Sequence, residues 1–205
     1  ALGLLYQWGR KDPFLGSSSI SSDTKAVATV SEPSPVASNE STGTIEYATK
    51  HPTTFITYNS NNYDWYYTGD SNTDDTRWNV NKGIYDPCPP GWRVPDGGED
   101  GVWAKARFSE CATTWNETTR GMIFGDKANS PNCKPSAWFP AAGDRWFDNG
   151  YLVHVGLGGS YGSCTPYLDN AYGLSFYYDG DYDGYVHPQG FSYRVFGFSV
   201  RCQSE

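Results

Sequence analysis

Three aspartates at alternate positions, Asp179, Asp181 and Asp183, run into Gly184 to spell D-x-D-x-D-G near the C-terminal end of the chain. Alternating carboxylates before a tight-turn glycine are how a Ca²⁺ loop opens, because a hard cation gathers several oxygen ligands from one side of a turn. The position that would need the bidentate glutamate is Gly190, however, and no helical pattern flanks the run. The plainer reading is an exposed, hairpin-like loop shaped by Asp and Gly. It is the preferred one, and no metal or other cofactor is expected.

Other reactive side chains are sparse and poorly grouped. The histidines are His51, His154 and His187, and no HExxH, GxSxG or CxxCH context is present. Adjacent Asp74 and Asp75 lie in turn-forming text, where a carboxylate caps backbone N–H groups more readily than it cleaves a glycoside. Cys88, Cys111, Cys133, Cys164 and Cys202 show no close CxxC pair of the zinc or redox kind, and an odd count leaves at least one thiol unpaired. Nothing in the sequence sets a base beside any of them. No catalytic residue is assigned, and an enzyme is not expected.

The side chains that stand out are aromatic. From Tyr177 to Cys202 the text reads YYDGDYDGYVHPQGFSYRVFGFSVRC, too polar for a core segment and too aromatic for an ordinary solvated loop. Tyrosine offers wide amphipathic contact at low entropic cost, while Ser, Gly and Asp adapt their hydrogen bonding, so this mixture suits a contact surface. The candidate ligand-binding set is Tyr177, Tyr178, Asp179, Asp181, Tyr182, Asp183, Tyr185, His187, Phe191, Tyr193 and Phe196, with Trp146 and Phe147 as neighbours across the site. Tyr172, Leu174 and Phe176 alternate like a core-facing set, as do Phe198 and Val200. Trp92, Trp103 and Trp138 read as core anchors.

These residues need a scaffold. The chain has 205 residues, 38% of them hydrophobic and 17% aromatic, enough for one sizeable core, and residues 1–205 are expected to form one domain. A net charge of -8 without a Lys/Arg cluster excludes a phosphate-backbone partner, so no nucleic acid is expected. No apolar run is long enough to span a bilayer as a helix. The opening ALGLLYQWGR resembles a strand rather than a signal peptide, and suggests a mature chain whose upstream part is missing. The composition favours an oxidising compartment, with buried reduced thiols as the alternative.

Residues 17–44 are rich in Ser, Thr and Pro and read as a long surface excursion. TIEYATKH predicts a short helix stopped by Pro52, TTFITY a strand, and GVWAKARF a second short helix. From Met122 onward, glycines punctuate short apolar pieces, so strands and loops should dominate.

IYDPCPPGWRVPDGG, WFPAAGDR and the terminal GFSVRC, together with GLLYQWGRKDPF and TTFITYNSNNYDWYYTG, resemble the domain of fimbrillin-associated surface lipoproteins of Gram-negative gut bacteria. The Fibrobacter-type paralogous domain carries much the same blocks. The resemblance covers most of the chain. It implies an α+β, C-type-lectin-like fold of short helices, small antiparallel sheets and extensive loops, in which the termini meet in a small sheet and a lobe of loops presents the ligand site. That fold is shared with variable proteins of diversity-generating retroelements. Adenine-directed mutagenesis there yields Tyr, Asp, Ser, Gly, His, Phe and Asn, much the vocabulary of residues 144–198.

The chain departs from the pattern of that group in places. YGSCTPY stands where the family often has an aromatic-Trp-Ser-Ser run, and the EPN, QPD and WND calcium motifs of lectins are absent. So are the paired catalytic cysteines of formylglycine-generating enzymes, and that activity is not carried over. The resemblance also implies a Cys88–Cys202 disulfide, because in that fold the segment leading into the first helix meets the last strand. Cys111 is expected to pair with Cys133 and Cys164 to stay free. The function implied is non-enzymatic recognition, displayed extracellularly on an outer-membrane lipoprotein or fimbria. The partner would be a protein or glycan on a host, bacterial or phage surface. The domain would be monomeric in isolation and held to a membrane only through an upstream anchor. The alternatives are a structural fimbrial or adhesin subunit and a calcium-dependent glycan-binding module.

Overall fold

The computed structural model describes residues 2–18, 34–60, 62–69, 72–125, 136–178, 180 and 184–205. In chain order the elements are β1 (Leu4–Gln7), β2 (Phe14–Leu15), β3 (Val36–Ala37), α1 (Ile45–Lys50), β4 (Ile56–Thr57), β5 (Trp92–Arg93) and α2 (Val102–Lys105). Then follow β6 (Thr113–Asn116), β7 (Gly121–Phe124), β8 (Ala137–Pro140), β9 (Asp144–Arg145), β10 (Leu152–Val153), β11 (Gly158–Tyr167), β12 (Asn170–Tyr177), β13 (Tyr185–Tyr193), β14 (Gly197–Ser199) and β15 (Gln203–Ser204). The protein is thus mostly small β-sheets with few, short helices.

Both helices fall where the sequence places them. Thr44 caps α1, its hydroxyl accepting from the Tyr47 N–H, and an i,i+4 pair between Glu46 and Lys50 spans its exposed face. The strand expected over TTFITY shrinks to the two residues of β4. These pair in parallel with β3, so the C-terminal part of the supposed excursion over residues 17–44 packs against the fold rather than running over its surface. At the other end of that segment Ser17 is buried and its carbonyl accepts from the Leu2 N–H.

One sheet is larger than expected. Its strands run β10-β9-β14-β11-β12-β13, with β1 alongside β14 and β2 alongside β1. The β1–β14 pairing brings the two ends of the chain together. Close by, β5 and β15 form a two-stranded sheet, and the Cys88–Cys202 disulfide bridges 114 residues of sequence. Cys164 is buried and free, and Cys111 is disulfide-bonded. Cys133, the expected partner of Cys111, lies outside the described residues.

Three apolar clusters fill the interior. The first gathers Trp103, Phe108, Phe124, Phe139, Tyr161, Leu174 and Phe176 between α2, the β6-β7-β8 sheet and β11-β12. The second surrounds Trp8, Trp78 and Val94, and the third surrounds Phe14, Phe55, Ile56, Trp65 and Val195. Between the last two lies a buried charged group. Asp64 pairs with Arg77 and stands 3.7 Å from Arg194, and both guanidiniums lie over the Trp8 ring. Trp8 and Trp65 therefore anchor the core and also neighbour its cations.

Several expected core positions are corrected. Trp103 is buried, but Trp92 is 47% exposed and Trp138 42% exposed. In β8 the pleat turns Phe139 inward, so Trp138, its neighbour, must face out. Trp92 sits in the two-residue β5, which is too small to bury a face. Tyr172, Phe198 and Val200 are half-buried, while Leu174 and Phe176 are core.

Candidate functional site

The C-terminal aromatic segment is strand before it is loop. The sequence suggested loops because Asp and Gly crowd its start, but β-branched and aromatic residues with period-2 alternation take over from Tyr185. The resulting β13 pairs with β12 over nearly its whole length and ends the sheet. The pairing slips once, where Pro188 and Gln189 of β13 lie opposite the single Leu174 of β12, which marks a bulge in β13. Tyr185, His187, Phe191 and Tyr193 therefore stand on a hydrogen-bonded edge strand rather than on free loops.

Register brings Tyr177 opposite Tyr185, and their rings stack at 6.0 Å. Tyr185 continues to His187 at 4.8 Å, and Tyr177 meets His154 edge-on at 5.7 Å. From His154 the contacts pass to Trp146, then to Phe147 and Phe196, each 5.3 Å or less from Trp146. Phe147 and Phe196 both reach Tyr193, which stacks on Tyr63 at 3.9 Å, and Tyr58 closes the far end against Tyr63 and Phe147. The rings thus form one continuous chain. Tyr185 is 49% exposed and His187 is exposed, while Trp146, Phe147, Tyr177, Tyr193 and Phe196 are half-buried.

Two expected members lie elsewhere. Tyr178 stacks on Trp115 at 4.9 Å, and Phe191, 55% exposed, packs with Tyr167 and Tyr172. A shallow depression of about 420 Å³ runs along β13 between His187 and Phe191, with Ser109 on its opposite wall. Asp179, Asp181, Tyr182 and Asp183 lie outside the described residues. Among the described residues no group of three or more potential metal ligands occurs.

The middle of the aromatic chain holds a polar pair. His154 Nδ1 lies 2.9 Å from Asp144 Oδ1, with the carboxylate buried and the imidazole part exposed. Two local features build it. Gly143, at φ +71, passes so close to the Val153 carbonyl that any Cβ there would collide, which seats β9 against β10 with Asp144 next in line. His154 itself is left-handed at φ +59, and its carbonyl accepts from the N–H groups of Leu157 and Gly158. A non-glycine residue held at positive φ is strained, and such strain gathers at functional positions.

The electrostatics of the pair follow from its burial. Desolvation pushes the Asp144 carboxyl above its ordinary range, with the hydrogen bond and charge of His154 pulling the other way. On His154 the hydrogen bond it donates to Asp144 outweighs partial burial and raises its pKa. Both shifts are upward, so the pair keeps its protons to higher pH than its members would in water. No serine or cysteine partners this imidazole among the described residues. The free thiol of Cys164 sits beside Asp96, 3.6 Å away, and burial pushes its pKa up to about 12, which makes it a poor nucleophile.

Sequence reasoning placed Trp146, Phe147, Tyr177, Tyr185, His187, Tyr193 and Phe196 in a set that the fold does bring together. It missed His154 and Asp144, and it missed Tyr58 and Tyr63. The turn text VHVGLGG was the available signal for His154; the two tyrosines come from a segment more than eighty residues away, and only tertiary structure could join them. No protein-family model, no curated protein and no solved structure matches the chain.

Proposed function

We propose that this is a non-enzymatic recognition domain of C-type-lectin-like fold, displayed on a bacterial surface lipoprotein or fimbria. It binds a protein or glycan through the aromatic face that runs from Tyr185 and His187 across His154 and Trp146 to Tyr193. The sequence blocks that resemble fimbrillin-associated domains and retroelement-diversified proteins supply the cellular setting, and in that setting the face is the diversified part.

The observation that carries this reading is that Tyr185 and His187, on one hydrogen-bonded strand, are exposed and belong to an unbroken chain of ring contacts. Aromatic side chains left in water across a connected surface point to a contact patch, and tyrosine-rich patches bind with little ordering cost. A shallow face suits a macromolecular surface better than a buried small molecule.

The test compares the labelled domain with its Tyr185→Ala/His187→Ala variant on arrayed glycans and on intact bacterial and epithelial cells. The reading requires a surface that retains the native domain and loses it with the variant, while the variant still melts like the native protein. Equal retention of both, or retention of neither, contradicts it. Concentration-dependent polymerisation of the native domain in sedimentation would favour a fimbrial subunit instead.

A further inference from the structure

Resting on that recognition reading, we infer that the ligand group seated at His154 is a cation, an arginine or lysine side chain of a protein partner, held between aromatic rings over the Asp144 carboxylate. Three independent features of the site converge on positive charge.

The first is the buried carboxylate. Asp144 lies beneath His154, and its field reaches Tyr185, whose hydroxyl is raised in pKa by burial and by Asp144 in turn. With Asp144 ionised, Nδ1 of a neutral His154 donates to it, and the pair carries one net negative charge. Nε2 of His154 has no hydrogen-bond partner among the described residues, so it stands free as an acceptor for a donor cation.

The second is the ring arrangement. Trp146 and Tyr177 meet the imidazole at 73° and 89°, and Tyr185 stacks beyond Tyr177. Aromatic faces around a carboxylate attract cations through their quadrupoles, and none of these rings lies under an internal guanidinium among the described residues.

The third is charge complementarity. From residue 144 to residue 198 the sequence holds six Asp, no Glu, no Lys and two Arg, in a chain of net charge -8. Neither arginine offers its charge to a ligand. Arg145 is buried and donates to the Gly150 and Leu15 carbonyls, and Arg194 is buried and donates to Asp75 and to the Asn170 and Leu168 carbonyls.

A cation and a protonated imidazole exclude each other at this site, so binding must weaken as His154 protonates. The groups that face His154 are Asp144 from β9, Trp146 beyond it, Tyr177 from β12 and, through Tyr177, Tyr185 and His187 of β13. A carboxylate ligand predicts the reverse pH dependence, since it would pair with the imidazolium.

Aromatic-ring NMR of the folded domain tests the inference with three probes: the N-acetyl amides of arginine, lysine and glutamate. The arginine or lysine probe should shift the His154, Trp146 and Tyr185 ring signals, and its affinity should rise about threefold or more between roughly pH 5.5 and pH 8. The glutamate probe should leave those signals in place. In His154→Asn, which tolerates a left-handed backbone, basic-probe binding should weaken, because the Nε2 acceptor is gone, and its pH dependence should no longer follow the imidazole. Stronger perturbation by the glutamate probe, affinity rising as pH falls, or no perturbation by any probe would overturn the inference. If the inference fails while Tyr185→Ala/His187→Ala still abolishes surface binding, the recognition reading stands and only the cation assignment is lost.

Discussion

His154 Nδ1 and Asp144 Oδ1, ten residues apart in sequence and 2.9 Å apart in space, join a part-exposed imidazole to a buried carboxylate. The pKa of His154 is raised in the folded protein relative to its ordinary value of 6.5. A raised histidine adds stability that is complete below about pH 6.5 and is lost as pH climbs through the folded value. Burial shifts the Asp144 carboxyl upward as well, so its contribution has the same sign and is also lost as pH rises. Thermal melts across the neutral range should therefore show the native protein losing its advantage over His154→Asn as pH rises. Parallel curves for the two proteins would remove the pair from the stability account.

Tyr185 and Phe176 sit on neighbouring strands with opposite fates. Phe176 is buried against Phe124 and Tyr161, whereas Tyr185 is half in water. Tyr185→Ala should change unfolding free energy by about 0.5 kcal/mol or less, and Phe176→Ala should cost about 3 to 5 kcal/mol. Denaturant titration of both variants checks this. A large loss for Tyr185→Ala would make the aromatic strand a core element.

Asp64 is the shared counter-charge of Arg77 and Arg194, all three fully buried. Truncation to Ala leaves buried Arg77 without its carboxylate and Arg194 with Asp75 alone, and should destabilise by about 3 to 5 kcal/mol. Burial also lowers the pKa of a third cation, Arg10, to about 10, with Asp12 opposing. An Asp64→Ala variant that melts like the native protein would mean that water or other groups neutralise the arginines.

Cys88 and Cys202 close a very long loop around the second core cluster. In the chain-entropy account such a bridge stabilises by about 4 to 5 kcal/mol. Cys202→Ser should lower the denaturation midpoint accordingly, and non-reducing peptide mapping should recover the two cysteines in one fragment. Recovery of both as alkylated thiols would contradict the pairing.

How much of this was legible in the sequence differs from element to element. Thr44 followed by a short periodic run gave α1 away, because a cap and a helix face are local signals. Leu174 and Phe176 were readable as core from alternation alone. Trp92 and Trp138 were not, since apolar bulk says nothing about which side of a small sheet a residue occupies. The aromatic content of Tyr177–Phe196 pointed to a contact surface, yet the strand pairing that fixes it depends on β12, and the polar centre depends on a strained turn at His154. Buried Arg10, Arg77 and Arg194 were equally hidden, because a charged residue carries no mark of burial until its partners are folded around it.

The central claim is that the face carrying Tyr185 and His187 binds a partner and is not a structural seam. The most direct measurement is quantitative retention of the native domain and of Tyr185→Ala/His187→Ala on the same glycan and cell surfaces, alongside their melting curves. The account predicts a loss of about tenfold or more in binding, as expected when a hot-spot residue is removed, with melting temperatures that coincide. Unchanged retention in the variant, or a variant whose binding falls only because it has unfolded, would contradict it.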